Sequence, residues 1–276
     1  MGFFPYVGGK GFLAKKIVGL IPEHRVYVEP FCGSAKVFFA KPPSKIEVLN
    51  DYDRRIANLF FVVAFKFDEF YERVRWLVYS EALHNEFQQR FVKGGSEIKE
   101  LGDVENAIYT YYTLVSSMSG LRDKSFLWGH NRNYATYFTN KIRNLQWIHN
   151  RLSAAVIRCQ DFEKIFEQYG GQEDVFFYLD PPYYGCESYY DGFARGDHQR
   201  LLDRLKQLKG KWLLSGYHNE LYDTELKDYA MLEIPAVKRS CIITGRVKVK
   251  PRATEVLWAN YPLTLALWAC DVNPVS

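Results

Sequence analysis

The sequence predicts an α/β fold built on a parallel sheet, with a helical segment inserted into it. Three observations carry this. Short apolar runs alternate with helical spacing at both ends of the chain, the rhythm of βαβ units. The strand candidates are nearly continuous apolar runs rather than alternating ones, which suits strands covered on both faces. Residues 66–152 lose that rhythm and become polar, aromatic and mostly helical in spacing.

The elements follow in order. "FPYVGGKGFLAKKI" (4–17) reads as a glycine-rich loop. "RVYVEP" (25–30) is a strand and "GSAKVFFAK" (33–41) starts a helix. "KIEVLND" (45–51) is a second strand and "YDRRIANLFFVVAF" (52–65) a second helix. The inserted stretch carries a glycine break at Gly94-Gly95. The alternation then resumes with strands at "AAVIRC" (154–159), "DVFFYL" (174–179) and "KWLLSG" (211–216), and a helical stretch at "DHQRLLDRLKQLK" (197–209). "EVLWANYP" (255–262) is the last strand. Two domains are therefore expected: an α/β domain from 1–65 and 153–276, and an inserted domain at 66–152. No internal repeat is visible.

Composition narrows the setting. The chain has 276 residues, 47% of them apolar, enough for one large α/β domain carrying an insertion. Its net charge of +4 says little about partners. No apolar run is long enough to span a bilayer and no signal-peptide pattern opens the chain, so no membrane partner and a cytoplasmic location are expected. The five cysteines, Cys32, Cys159, Cys186, Cys241 and Cys270, are scattered and odd in number, which suits a reducing compartment. The six histidines show no metal-ligand spacing, and no metal site is expected.

Chemistry concentrates in two turns. In "VFFYLDPPYYG" (175–185) a buried strand runs into Asp180 and is then stopped. Pro181 and Pro182 have no N–H for a ladder and hold φ nearly fixed, and a residue before proline is pushed to extended geometry. The result is a rigid mouth with a carboxylate, free carbonyls and the faces of Tyr183 and Tyr184, at the strand end where open α/β sheets bind ligands. A strand followed by a purely structural Pro-Pro turn would look the same in isolation. In "VYVEPFCGSAKVFF" (26–39), Glu29, Phe31 and Gly33 occupy a strand-to-helix turn where glycine lets a ligand approach the backbone. A full G-x-G-x-x-G is absent, which argues against ordinary dinucleotide binding. Asp51 follows the next strand, at the place where a carboxylate takes ribose hydroxyls, although an Asp there also caps helices. Gly9-Lys10 fails as a phosphate loop because Phe4 and Gly11 stand where glycine and Ser or Thr are needed.

"PYVGGKGFL", "YVEPFCGSAKVFF", "EVLNDYD", "IRCQDF" and "YLDPPYYG" occur in the order found in Dam-type adenine-N6 DNA methyltransferases of the alpha group, and the chain resembles that family over roughly 1–65 and 154–262. The resemblance implies a Rossmann-like methyltransferase sheet and S-adenosylmethionine as cofactor. It places Tyr6 and Lys10 near the methionine end, Glu29, Phe31 and Gly33 in the binding turn, Asp51 on the ribose, and Asp161 and Phe162 beside the cofactor's adenine. It makes Asp180, Pro181, Pro182 and Tyr183 the catalytic box, with Asp180 also facing the cofactor. Ala35 departs from the family by replacing the usual second glycine. The insertion lacks a close match to the best-known target-recognition hairpin, so site specificity does not carry over.

An exocyclic amine conjugated to a purine is a poor nucleophile. Asp180 and the Pro181 carbonyl would accept its two N–H bonds and turn its lone pair toward the methyl donor, the rigid turn holding the geometry. Tyr183 would stack on a base that has left the duplex. Direct in-line transfer without a covalent enzyme intermediate is expected.

Two basic segments point to nucleic acid. Arg246, Lys248 and Lys250 alternate with valines within 238–252, which is free of acidic residues, and so share one face of a strand. The stretch 119–145 mixes Arg122, Lys124, Arg132 and Asn133 with aromatic rings, a composition that suits base edges and phosphates. Each is also what a solvated basic face looks like. The expected partners are double-stranded DNA and, in a restriction pair, a cognate endonuclease acting separately; the working unit is expected to be a monomer. Two alternatives stay open at this level: the same chemistry on RNA, and a non-catalytic nucleic-acid-binding relative, against which the intact box at 180–183 speaks.

Overall fold

The structure is a computed structural model that describes residues 2–6, 10, 13–118, 125–185, 193–237 and 252–263. After helix α1 (Ala14–Leu20) the chain alternates through β1 (Val26–Glu29), α2 (Lys36–Ala40), β2 (Ile46–Asn50) and α3 (Arg54–Phe65). Five helices follow: α4 (Phe67–Val74), α5 (Glu81–Glu97), α6 (Val104–Ser116), α7 (Tyr134–Arg143) and α8 (Leu145–Leu152). The alternation resumes with β3 (Val156–Arg158), α9 (Phe162–Tyr169), β4 (Val175–Leu179), α10 (Arg195–Leu205), β5 (Lys211–Gly216) and α11 (Glu220–Glu225), and closes with β6 (Ala230–Val237) and β7 (Arg252–Ala259).

The strands form a seven-stranded sheet in the order β3-β2-β1-β4-β5-β7-β6. β3, β2, β1, β4 and β5 pair in parallel, and β7 lies antiparallel between β5 and β6. This is the Rossmann-like α/β sheet that the alternating pattern and the family resemblance implied. No helix among the described residues is long and apolar enough to cross a membrane.

Successive side chains of a strand point to opposite faces, and both faces are buried here. Val175, Phe177 and Leu179 of β4 join one apolar cluster, with α9, α10 and α11; Phe176 and Tyr178 join the other. That second cluster is continuous through Phe38, Phe60, Phe70, Tyr111, Phe138, Ile148 and Leu152, so the helices of 66–152 share the core of the sheet. Polar ties reinforce this. Asn58 of α3 accepts from the N–H groups of Gly102 and Asp103 at 2.7 and 3.0 Å, and Arg151 of α8 donates to Glu47 of β2 at 2.7 Å.

Several boundaries differ from the sequence reading, each for a local reason. The helix placed at 33–41 begins only at Lys36, because Gly33 and Ala35 both sit at φ +48° and cannot continue a right-handed turn. The helix placed at 52–65 begins at Arg54 and is capped by Asp53, whose carboxylate accepts from the Arg55 N–H at 3.0 Å; Asp51 is not its cap. Gly94-Gly95 does not break the chain. Helix α5 runs through it, since a helical glycine costs about 1 kcal/mol against alanine without forcing a turn, and Phe87 anchors α5 on Tyr109 and Tyr112 of α6. The last strand spans 252–259 rather than 255–262. β6 was missed because Pro235 interrupts its pattern, and it is the edge strand, where proline is tolerated.

Glu29 ends β1 and is 1% exposed. Its Oε1 accepts from the Tyr27 hydroxyl at 2.6 Å and the Phe38 N–H at 2.9 Å, pinning α2 to the sheet. Burial pushes its carboxyl up to about 8, against the pull of those two donors. Between the ordinary glutamate range and about 8, the folded protein therefore holds a proton that the unfolded chain has lost, and stability falls as pH rises through that window. Glu29→Gln keeps the shape and removes the titration. Urea midpoints should decline from about pH 5 to about pH 8 in the native protein and stay flatter in the variant, which should be more stable by about 1 kcal/mol or more at the upper end.

Candidate active site

The chain leaves β1 toward β2 and β3 on one side of the sheet, and leaves β4 toward β5 on the other. β1 and β4 are neighbours, so the loops leaving their carboxyl ends diverge and open a crevice. The two turns singled out in the sequence, 30–35 and 180–185, are these loops.

The first loop is held by side chains from neighbouring strands. Asn50 donates to the carbonyls of Pro30 and Gln160, both at 2.9 Å, and accepts from the Gln160 N–H at 2.9 Å. It therefore staples the loops after β1 and β3 together. Asp51 Oδ2 accepts from the Gly33 N–H at 2.8 Å while Oδ1 accepts from the Asp53 N–H at 2.9 Å. A Cβ at Gly33 would stand 3.0 Å from the Tyr6 ring on a backbone whose φ strains any L side chain, so glycine suits this position. Ala35 adopts the same left-handed φ with a side chain present.

Phe31 and Phe162 meet directly, ring centroids 5.4 Å apart, with Phe193 edge-on to Phe31 at 5.7 Å. Asp161 caps α9 by accepting from the Glu163 N–H at 2.9 Å and pairs with Arg200 at 2.8 Å; the Arg200 guanidinium lies 4.8 Å from the Phe162 ring. Tyr6, Phe31, Gly33, Asp51, Asp161 and Phe162 thus line one run of strand ends. Glu29 stands beneath this run, with both its bonds directed into the fold.

The second loop carries the charge. Alternation along the strands puts Tyr178 and Asp180 on the face that carries Tyr27 and Glu29, and Ser215 and Glu255 join them from β5 and β7. Asp180 Oδ1 accepts from Lys10 Nζ at 2.6 Å and from Ser215 Oγ at 3.1 Å. Among the described residues no donor reaches Oδ2, and the side chain keeps 20% of its surface in the crevice. Lys10 also lies 3.1 Å from Glu255 Oε1 and donates to the Tyr183 hydroxyl, which donates in turn to Glu255. Burial opposes the Lys10 charge, but Asp180 and Glu255 outweigh it and hold the ammonium above the usual lysine range. Burial, helped by the same two carboxylates, pushes the Tyr183 hydroxyl up. The Tyr183 ring meets Tyr217 edge-on at 4.5 Å. Pro181 and Pro182 are buried and leave the turn no freedom.

Lys10, Asp180 and Tyr183 therefore come together, whereas Ser215, Glu255, Asn50 and Tyr217 were missed in the sequence. Glu255 left a trace there: it is a lone carboxylate heading an apolar strand. Of the nucleic-acid candidates, Arg132 is exposed and stacks 4.2 Å from the Tyr137 ring, and Asn133 caps α7 by accepting from the Thr136 N–H at 3.0 Å. Burial and the nearby cations Lys36 and Arg132 bring Lys141 down to about 8, and Arg132 and Lys141 both approach the Tyr137 ring of α7. Arg122, Lys124, Arg246, Lys248 and Lys250 lie outside the described residues, as do Cys186, Cys241 and Cys270.

Comparison with known proteins agrees with this geometry. No curated protein matches the chain significantly. The family model for D12 class N6 adenine-specific DNA methyltransferase matches residues 6–239, a span that takes in both turns, the helices between them and the strands through β6. A switch-point crevice with a fixed carboxylate at the end of β4 and a glycine turn at the end of β1, within a match over most of the chain, identifies the protein as a member of the D12 class of N6 adenine-specific DNA methyltransferases.

Proposed function

We propose that the protein transfers the methyl group of S-adenosylmethionine to the N6 amine of an adenine swung out of a specific double-stranded DNA site. The observation that carries this is Asp180: Oδ1 is fixed by Lys10 and Ser215, while among the described residues no donor reaches Oδ2 and the side chain keeps 20% of its surface exposed. The residues of the first loop suit a nucleoside methyl donor. Gly33 takes a left-handed turn with the Tyr6 ring packed close over it, Asp51 and Asp161 offer carboxylates at adjacent strand ends, and Phe31 and Phe162 offer flat apolar surface. Glu29 serves from below by fixing α2, and Lys10 stands with Asp180 at the methionine side. When bound, S-adenosylmethionine supplies an electrophilic methyl group on a sulfonium.

The chain supplies the rest. Asp180 Oδ2 and the Pro181 carbonyl accept the two N–H bonds of the amine, and Pro182 holds them in place. This draws the nitrogen lone pair out of conjugation and aims it across the crevice. The carboxylate then faces the positive charge that develops on nitrogen. Tyr183, held edge-on to Tyr217, forms the wall against which the extruded base stacks. We assign catalysis to 1–65 and 153–276 and target recognition to 66–152, packed on the same core, with Arg122, Lys124, Arg132 and Asn133 facing bases. Arg246, Lys248 and Lys250 are assigned to phosphates. In support, Val237 pairs with Arg252, and β7 enters the sheet beside Glu255, so the chain leaves and re-enters the sheet at the edge that holds Asp180.

Asp180→Ala should abolish transfer while the protein still binds DNA. Asp180→Asn should lose at least about a hundredfold, since the negative charge is worth roughly 3–4 kcal/mol. Single-turnover transfer of labelled methyl groups to duplex DNA measures both, and near-native transfer by the alanine variant would refute the assignment.

Asp51→Ala should weaken cofactor binding by roughly 1–3 kcal/mol, through the loosened Gly33 turn as well as unpaired hydroxyls. Calorimetry with the cofactor and with its demethylated product reads this directly.

Changing Arg246, Lys248 and Lys250 together should lower affinity for all duplex sequences and flatten the salt dependence. Arg132→Ala should instead alter which sequences are methylated. Binding isotherms across salt concentrations, together with sequencing of DNA methylated in a host lacking other methyltransferases, separate the two effects.

A further inference from the structure

Two carboxylates meet one ammonium at the catalytic edge. Lys10 Nζ is 2.6 Å from Asp180 Oδ1 and 3.1 Å from Glu255 Oε1. The side chains of Lys10 and Glu255 are almost fully buried, and that of Asp180 is partly exposed. A buried ammonium paired with Asp180 alone would neutralise the carboxylate at the spot where the amine gains positive charge, and low-dielectric surroundings make that cancellation count. Glu255 changes the balance, because it leaves the group of three with one net negative charge. The Tyr183 hydroxyl also donates to Glu255, so the same carboxylate orients the ring that lines the base site.

We propose that Glu255 is a positioning residue for methyl transfer: it draws Lys10 between two carboxylates, so that Lys10 anchors Asp180 Oδ1 without cancelling the charge that Oδ2 presents to the adenine amine. This rests on the reading of Asp180 as the amine acceptor. Nothing in the first loop depends on Glu255, which reaches the site from β7 on the far side of β5. Its effect is therefore read at saturating cofactor, where the transfer step is separated from the contact that Lys10 and Asp180 make with the methionine side.

The test is a charge-balance cycle of Glu255→Gln, Lys10→Met and the double variant. Glu255→Gln should slow single-turnover transfer at saturating cofactor by about tenfold or more, while the dissociation constant for duplex DNA stays within about threefold of native. Lys10→Met leaves Asp180 and the buried Glu255 without the ammonium between them, and should lower the melting temperature of the cofactor-free protein. Adding Glu255→Gln to Lys10→Met restores the native net charge, so the double variant should melt higher and transfer faster than Lys10→Met alone. Native-rate transfer by Glu255→Gln overturns the proposal, and so does a double variant no more stable than Lys10→Met. The outcomes also separate the two levels of the argument. Native-rate transfer by Asp180→Ala would remove the reading of Asp180 itself, whereas an inactive Asp180→Ala beside a fully active Glu255→Gln would remove only the role of Glu255.

Discussion

A parallel sheet covered on both faces leaves polar groups one place to gather, the ends of its strands. Along β1 and β4 every side chain is buried, and those of Val26, Val28, Val175, Phe177 and Leu179 go to one apolar cluster while Tyr27, Phe176 and Tyr178 go to the other. Within that constraint, parity decides which polar residues meet. Glu29, Asp180, Ser215 and Glu255 come from four strands and reach one side of one edge because each is in step with its strand's residues on that face. β7 can contribute only because it runs antiparallel, so that its first residues, not its last, lie at the catalytic edge.

The same rule explains what could be read from the sequence. The apolar runs of β1, β2, β4 and β5 were visible because burial on both faces leaves no polar positions to blur them. The two turns were visible because Gly33, Pro181 and Pro182 are residues whose backbone restrictions carry meaning without knowledge of the fold. Ser215 and Glu255 were not legible: neither type is unusual at a strand terminus, and their significance comes from β7 lying next to β5, a non-local pairing. Asp51 was legible as a carboxylate at the end of β2, but its grip on the Gly33 N–H was not, because that bond joins loops whose strands had first to be placed side by side. β6 was hidden by Pro235, and the start of α2 by the left-handed turn at Ala35.

The helices of 66–152 do not stand apart from this arrangement. α3 belongs to the sheet layer by sequence yet packs on α4, α5, α6 and α8, and Phe60 shares one cluster with Phe3, Phe38 and Tyr111. Lys41, Glu47 and Arg151 close the joint at the opposite end of β2 from the crevice, with Lys41 Nζ 2.6 Å from Glu47 and the Arg151 guanidinium 3.8 Å from the Phe38 ring. A close-packed interior transmits displacement rather than absorbing it. Arg151 of α8 packs on Phe38 of α2, whose N–H holds Glu29 below the first loop.

Pro235 has a consequence beyond concealing a strand. Open sheets invite a second molecule to add its own backbone along an unpaired rim, the first step toward fibrous aggregates. Among the described strands both rims are poor templates. β3 is only three residues long. β6 carries a proline, which fits an outer strand only where its missing N–H faces away from the neighbour, and Glu233 adds an exposed charge two residues earlier. In a chain so rich in aromatic and β-branched residues, neither of these strands offers a second copy a long row of free backbone hydrogen bonds to start from.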